Sequence, residues 1–363
     1  MSSGTRSSVN KKSRKKLYRA NFNLHTTSKQ SPVLKTNLPY SILDLAIIRE
    51  GHDAKEAYQR SLQVAQKAEA LGYTRMWLAE HHNMANVGSS SPQILIGYLA
   101  SETSKIRLGS GGIMLPNHSP LIIAEQFGTL ATLFPNRIDL GLGRAPGTDQ
   151  TTATALRRGR HESVQEFPND LDDLRRYFSE DNLDSKVRAF PAEGLDIPIY
   201  LLGSSMSSAV LASDKGLPYA FASHFAPGYL INASRHYREN FKPSKHLEKP
   251  YFISCVNVIA ADTDEEAHYL ATSFYQTALG IIRGRSYPMK KPVKSMDGIW
   301  SEPEAAAIQN MMACTFIGTK ESLKPQFESF FRQVEVDELM VSTNIYEPEK
   351  RLKSLEITAE VLG

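Results

Sequence analysis

The chain has 363 residues, of which 41% are hydrophobic and 22% charged, a composition typical of globular proteins with a sizeable core. No run of eighteen apolar residues occurs, so the sequence predicts no membrane-spanning helix. The two cysteines, Cys255 and Cys314, lack a metal-binding spacing and favour reduced thiols in a cytoplasmic protein over a disulfide framework.

The net charge of +3 is unevenly distributed along the chain. Residues 1–38 contain nine Lys or Arg and no Asp or Glu, whereas the remaining 325 residues contain 33 basic and 39 acidic side chains. The tail therefore has the charge to contact nucleic acid or anionic lipid, and its composition also fits a transit peptide. We favour a disordered N-terminal extension, because so few apolar residues cannot form a core. We expect neither a nucleic-acid nor a membrane partner.

Residues 39–363 alternate between strand-like and helix-like patterns and form one predicted domain. Apolar runs predict eight strands, at 41–47, 74–79, 106–115, 138–142, 198–202, 219–222, 251–260 and 338–342. Helical spacing and capping residues predict a helix after each strand, at 53–71, 91–99, 119–134, 164–178, 205–215, 228–241, 319–333 and 347–362. Residues 262–316 are predicted to be an insertion of two helices around a polar loop at 284–303.

Eight strands that are each followed by a helix predict a closed (β/α)₈ TIM barrel with an insertion between strand seven and helix seven. A doubly wound open sheet is the alternative. It is disfavoured because no Gly-x-Gly-x-x-Gly follows the first strand. Polar residues also recur at the ends of strands two to six, and in a barrel those ends surround one mouth. A functional site is therefore expected there.

The polar residues at these strand ends suggest several kinds of chemistry. Glu80, His81 and His82 are consecutive, so their side chains alternate between the two faces, and a histidine can transfer a proton near neutral pH. Asp44 shares a face of the first strand with Ile42 and Ala46 and is predicted to face the barrel interior. It is interpreted either as a substrate contact or as a buried structural side chain.

Two further segments are candidate ligand-binding elements. Arg144 follows the glycines of strand four and has the geometry to bind a phosphate, although a plain surface arginine is the alternative. The turn at 203–208 offers hydroxyls and N–H groups at a helix start, which suits an anion, or is simply a helix cap. Gly111 and Gly112 indicate either a β-bulge or a close approach of the backbone to a ligand.

Five segments, in this order and spacing, resemble the bacterial-luciferase-like flavin monooxygenase superfamily, in its smaller single-chain branch. They are LAEHHN (78–83), LGSGGIMLPNHSPL (108–121), LGLGRAPG (140–147), LLGSS (201–205) and FASHFAP (221–227). The resemblance extends over residues 39–361 and leaves only the basic tail outside.

The resemblance implies specific roles for the residues at the strand ends. Flavin phosphate binding is implied for Arg144, Gly203, Ser204 and Ser205. A non-proline cis peptide beneath the flavin ring is implied for Gly111-Gly112. Proton transfer is implied for His81, with Glu80 ordering the mouth, and weaker substrate contacts are implied for Asp44, His118 and His224.

The activity implied is that of a monooxygenase that uses O₂ and reduced FMN, supplied by a separate flavin reductase, to oxygenate a small organic substrate. The resemblance also implies a homodimer through the helices after strands two and three. Three alternatives remain. They are an F420-dependent oxidoreductase, a flavin-binding protein without turnover, and a metal-dependent barrel hydrolase with ligands from Asp44, His81, His82, His118 and His224.

Overall fold

The computed structural model describes residues 38–157 and 164–363. The predicted N-terminal extension, except for its last residue, lies outside the described residues, as do residues 158–160 of the loop after Arg144. The domain boundary near residue 38 therefore stays a prediction.

The described chain forms a closed parallel barrel. The strands are β1 (Tyr40–Asp44), β2 (Arg75–Leu78), β3 (Arg107–Met114), β4 (Ile138–Gly143), β5 (Ile199–Gly203), β6 (Tyr219–Phe221), β7 (Phe252–Ala260), β8 (Thr315–Gly318) and β9 (Glu338–Ser342). Strands β1 to β7 pair in sequence order, and β9 closes the ring between β7 and β1. The predicted (β/α)₈ barrel is confirmed.

Helices surround the barrel on the outside. They are α1 (Ala54–Ala70), α2 (Pro92–Ser101), α3 (Pro120–Leu133), α4 (Gln150–Arg157), α5 (Phe167–Phe178), α6 (Met206–Lys215), α7 (Leu230–Glu239), α8 (Asp264–Ile282), α9 (Glu302–Met311), α10 (Lys320–Gln333) and α11 (Pro348–Leu362). Local sequence sets their ends. Asp53 caps α1 by accepting from the backbone N–H of Glu56 at 2.9 Å, and Gly216 ends α6 in the left-handed conformation with φ +61°.

The content of the predicted insertion differs from the expectation. Residues 264–311 do contain two helices, α8 and α9, around a loop, but the predicted insertion, residues 262–316, ends within the short strand β8. This strand pairs with the second half of β7, from Asn257 to Ala260. β9 pairs along one edge of β7. The other edge of β7 pairs with β6 in its first residues and with β8 in its last residues. Four residues are too few to show a strand period, which explains why the pattern misses it.

One cluster of buried residues lies in the barrel interior. Its members come from β1, β2, β5, β6, β7 and β9 or the residues next to them, and are Leu43, Trp77, Ala79, Tyr200, Ala220, Ile253, Cys255 and Met340. Only a shared interior can bring so many strands into one cluster. Since strand side chains alternate, the cluster identifies the inward-facing residues of each strand.

Asp44 is on the outer face of β1, so the prediction that it faces the interior is wrong. The neighbouring residue, Leu43, is the one that points inward. Asp44 is fully buried, and its Oδ1 accepts from Arg351 Nη2 in α11 at 2.9 Å and from the Ala46 N–H at 3.1 Å. Burial alone would raise the pKa of Asp44, but Arg351 and these hydrogen bonds together lower it. This is a structural ion pair between barrel and helix.

Buried charges close the lower end of the barrel. Arg75 on β2 donates to Asp139 Oδ2 on β4 at 2.7 Å and to Glu338 Oε1 on β9 at 2.9 Å. Each charge has an opposite partner, which offsets the large cost of removing it from water. The network ties three separate strands together at the end opposite the mouth, so it supports the barrel rather than a ligand.

The polar loop 284–303 of the predicted insertion is attached to the barrel rim near residue 289. Met289 is buried and exchanges two backbone hydrogen bonds with the loop after β1, to Ile48 O and from Glu50 N–H, both 2.8 Å. The flanking stretch from Gly284 to Tyr287 is exposed. Such a segment can open on its exposed side while it stays attached at Met289.

We expect limited trypsin digestion to cut this segment early, after the exposed Arg285, and reduced FMN together with substrate to slow the cut. Gel electrophoresis with mass spectrometry of the fragments measures both. A cleavage rate that ignores the two ligands would show a static insertion.

Candidate active site

Glu80 lies two residues after β2, and its hydrogen bonds fix the conformation of one side of the barrel mouth. Its carboxylate is buried, and Oε1 accepts from His82 Nε2 at 2.7 Å and from His118 Nε2 at 2.8 Å. Oε2 accepts from the backbone N–H of Met114 at 2.9 Å, which ties the end of β3 to β2. Burial alone would raise the pKa of Glu80, but the hydrogen bonds from His118 and His82 lower it to about 2. Because an ionised carboxylate only accepts, Nε2 of both histidines carries a proton.

His81 continues the inward-facing series of Trp77 and Ala79, whereas His82 turns to Glu80. The Nδ1 atom of His81 lies 3.2 Å from the carbonyl oxygen of Gly147. A carbonyl only accepts, so Nδ1 carries the ring proton and Nε2 is the nitrogen that can accept one. Burial lowers the pKa of His81, so the ring is neutral near pH 7. The geometry is that of a proton acceptor.

The ends of β4 and β5 converge on a candidate anion seat, formed by Arg144 and the turn 203–208. Arg144 Nη2 donates to Ser207 Oγ at 2.8 Å, and Ser205 Oγ lies 3.0 Å from the same oxygen. The turn leads into α6, a ten-residue helix whose first N–H groups add donors. A guanidinium, serine hydroxyls and a helix N-terminus are together a phosphate-binding set. Ser207, which joins them, is a site residue that the sequence pattern alone does not single out.

Ser208 and Tyr219 fix the shape of that turn. Ser208 Oγ donates to the carbonyl of Ser205 at 2.7 Å and lies 2.8 Å from the hydroxyl of Tyr219. A Cβ atom at Gly203 would lie 2.1 Å from Ser208 Oγ, so this packing requires glycine. Burial raises the pKa of Tyr219, which keeps the phenol protonated. The backbone of the anion seat is therefore fixed by hydrogen bonds to Ser208, which in turn contacts the buried Tyr219.

The peptide bond between Gly111 and Gly112 is cis, as the resemblance implies. The pairing of β3 with β4 also shifts register between Ser110 and Ile113, so the alternative of a bulge describes the same place. A Cβ atom at Gly111 would lie 2.8 Å from Leu43 Cδ1, and one at Gly112 would lie 2.7 Å from the carbonyl oxygen of Gly141. Only glycine fits at either position, and the backbone is left bare of side-chain atoms here.

The three weaker candidates for substrate contact, Asp44, His118 and His224, do not lie together in the structure. His118 contacts Glu80, and Asp44 lies outside the barrel wall. His224, after β6, is close enough to His81 for a charge on His81 to act on it.

Within residues 38–157 and 164–363, no three His, Cys, Asp or Glu side chains are arranged to hold a metal ion. None of the helices in this part of the chain is both long and apolar enough to cross a bilayer.

The chain matches one family model and several known proteins. A family model for luciferase-like monooxygenases matches residues 38–338. The Escherichia coli K12 protein named luciferase-like monooxygenase is 48% identical over 324 residues, 89% of this chain and 97% of the relative. N-acetyl-S-alkylcysteine monooxygenase of Bacillus subtilis is 32% identical over 331 residues, 89% of this chain and 97% of that protein. The crystal structure of apo-MsnO8 has a TM-score of 0.83 at 31% identity, over 89% of this chain and 98% of the other.

More distant solved structures share the fold. The oxygenating constituent of the Pseudomonas putida 3,6-diketocamphane monooxygenase, solved with FMN, has a TM-score of 0.67 at 18% identity, covering 90% of this chain and 97% of the other. An F420-dependent secondary alcohol dehydrogenase has a TM-score of 0.63 at 15% identity, covering 89% and 98%. At these identities the similarity shows the barrel architecture alone.

Proposed function

The chain belongs to the luciferase-like monooxygenase family, and we propose that it uses reduced FMN and O₂ to oxygenate a small organic substrate. The observation that carries the cofactor proposal is the 2.8 Å hydrogen bond between Arg144 and Ser207, which joins the ends of β4 and β5 into one anion seat. That seat fits a phosphate monoester, and the bare backbone at Gly111-Gly112 fits a flat ring. When bound, reduced FMN supplies the electrons that activate O₂.

The chain's own residues have separate tasks in this proposal. Arg144 and the 203–208 turn bind the phosphate, and Glu80 holds the ends of β2 and β3 together. His81 presents a neutral imidazole whose Nε2 accepts a proton during the oxygenation. The Leu43 and Trp77 side chains that pack beneath Gly111 exclude water from below.

Monooxygenase chemistry with FMN is favoured over F420 chemistry by two relatives whose names state an activity. Two of the relatives described above are at least 30% identical to this chain and have names that state an activity. Both are named monooxygenases. The F420-dependent dehydrogenase shares only 15% identity.

The name of the Bacillus subtilis relative places N-acylated thioethers among the first compounds to test as substrates. Reduction is assigned to a separate flavin reductase, because no nicotinamide-binding fingerprint follows the first strand.

Stopped-flow spectroscopy tests the proposal directly. Protein premixed with reduced FMN is mixed with aerated buffer, and a monooxygenase should give a transient spectrum that neither reduced nor oxidised FMN shows. Protein-bound FMN that reoxidises like free FMN, without O₂ use in the presence of thioethers, would indicate a flavin-binding protein without turnover. Binding of reduced F420 in preference to reduced FMN would assign the chain to F420 chemistry.

We also propose a homodimer that buries the outer faces of α2 and α3. α2 contains no charged residue and α3 contains only Glu125, which is unusual for helices exposed to water. Their outward side chains are large and apolar, with exposed fractions of 69% for Ile94, 46% for Ile122 and 64% for Leu133. Several large apolar side chains exposed on two neighbouring helices are a feature that a partner often covers.

Sedimentation velocity at micromolar concentration should show a dimer, and Ile94→Glu should convert it to monomer, because burying an unpaired carboxylate is costly. Ile281→Glu is the matched control, since Ile281 is 63% exposed on α8, away from this face. A monomeric parent would contradict the proposal, as would a dimer that Ile94→Glu leaves intact.

A further inference from the structure

Two buried polar atoms, one just after β6 and one in the second half of β7, have no hydrogen-bond partner among the described residues. They are Nδ1 of His224 and Oδ1 of Asn257. More than nine in ten buried polar groups in folded proteins are hydrogen-bonded. An unpaired acceptor or donor in a mouth that already contains a candidate active site therefore indicates a ligand group that completes it.

Asn257 faces the barrel interior. It continues the inward series of Ile253 and Cys255 on β7, one step nearer the mouth, and is 1% exposed. Its Nδ2 donates to the backbone carbonyl of His224 at 2.6 Å and to Thr315 Oγ1 at 3.1 Å. A carbonyl can only accept, so the amide orientation is fixed and Oδ1 is the atom left without a donor.

His224 lies beside this amide. Its own carbonyl accepts from Asn257, and its ring meets the ring of Phe225 edge-on, with centroids 4.9 Å apart. The neutral imidazole can place its proton on either nitrogen, so Nδ1 can donate or accept as a ligand requires. Burial and the neighbouring His81 lower the pKa of His224 to about 3, which is consistent with a neutral ring.

We propose that Asn257 and His224 form a substrate-binding subsite for a secondary amide. The amide N–H would donate to Asn257 Oδ1, and the amide carbonyl would accept from His224 Nδ1. A secondary amide offers one donor and one acceptor on opposite edges of the group, so it can bridge the unpaired oxygen of Asn257 and the unpaired nitrogen of His224. This inference rests on the proposed function, because it assigns the amide to the substrate of that same mouth.

The position is compatible with the other assigned groups. The anion seat occupies the ends of β4 and β5, and the amide subsite occupies the adjacent arc on β6 and β7. β8 contributes through Thr315, whose Oγ1 accepts a hydrogen bond from Asn257 Nδ2. The strand that the sequence pattern misses therefore helps to position a ligand-binding side chain.

A matched pair of probes tests the proposal on the flavin-free, full-length protein. N-benzylacetamide and benzyl acetate differ only in the N–H that an ester oxygen replaces. Ligand-detected NMR measures the two dissociation constants. We expect the parent to bind the amide roughly 3- to 10-fold more tightly, the range of one neutral hydrogen bond. Asn257→Ala should reduce this ratio to about one, because it removes the acceptor of the amide N–H. His224→Phe keeps an aromatic ring without Nδ1 and should weaken both probes by a similar factor of roughly 3 to 10, because both contain the carbonyl to which Nδ1 would donate.

Thr315→Val is the matched control, because it removes the other partner of the same side chain and leaves Oδ1 in place. Its amide-to-ester ratio should stay near that of the parent. Equal affinities in the parent, binding of neither probe, a ratio that survives Asn257→Ala, or affinities for both probes that survive His224→Phe would overturn the subsite. These measurements need no cofactor, so failure here leaves the FMN proposal standing, and failure of FMN binding leaves these ratios unchanged.

Discussion

Arg144→Ala is expected to weaken FMN binding by about 1.5–3 kcal/mol, or roughly 10- to 150-fold, the range for a hydrogen bond to a charged group. The guanidinium is the cationic group of the proposed anion seat, held there by Ser207 at 2.8 Å. Riboflavin has no phosphate, so it should bind the parent and the variant about equally. Fluorescence titration with both flavins measures the two affinities.

Arg283→Ala is the matched control, because it removes the same charge from an exposed arginine after α8 that pairs with Glu304. It should change neither affinity beyond a small factor, since exposed charges at a distance are screened by salt. Ser207→Ala should weaken FMN binding less than Arg144→Ala, because a neutral hydroxyl contributes less than a cation. An equal loss of FMN and riboflavin in Arg144→Ala would place the arginine at the ring instead of the phosphate.

Most of the fold is predictable because its signals are local. The eight barrel strands and their helices follow from apolar periods and capping residues such as Asp53, whose side chain does cap α1. The miss at β8 has a different origin, because that strand forms only where the edge of β7 extends beyond β6. Tertiary pairing of this kind leaves no trace in four residues of sequence.

The facing of side chains was predictable on β2 and not on β1. His81 and His82 alternate as expected, with His82 bonded to Glu80. Asp44 faces outward because Arg351, far along the chain in α11, supplies its partner. A pattern within one strand cannot reveal a partner some three hundred residues away, and a buried carboxylate points towards its cation on either face.

Sequence did contain one unused signal for the site. Asn257 is the only amide in the apolar run from Phe252 to Ala260, and a polar residue in a fully buried strand needs a reason. The reason became visible only with the structure, which shows both N–H groups of the amide in use and the oxygen without a donor. Ser207 was equally hidden, because four serines in one turn look alike until Arg144 selects one of them.

His81→Ala is expected to lower turnover roughly 10²- to 10⁴-fold, the usual span for a general acid–base residue, while FMN affinity stays within a few-fold of the parent. The separation is expected because His81 follows β2, whereas the anion seat is built on β4 and β5. Substrate-dependent O₂ consumption measures turnover, and fluorescence titration measures FMN affinity.

The pH dependence distinguishes proton transfer from a structural role. Burial lowers the pKa of His81, so the neutral form that accepts a proton is present at neutral pH and is lost as pH falls through that lowered value. The parent should therefore lose activity on the acid side, and His81→Ala should lack this limb. His82→Ala removes a hydrogen bond to Glu80, so it should lower the melting temperature and keep the acid limb. If His82→Ala instead abolishes the limb, His82 is the residue that faces the reaction. If both variants lose FMN together, the pair is a structural element and proton transfer must be assigned elsewhere.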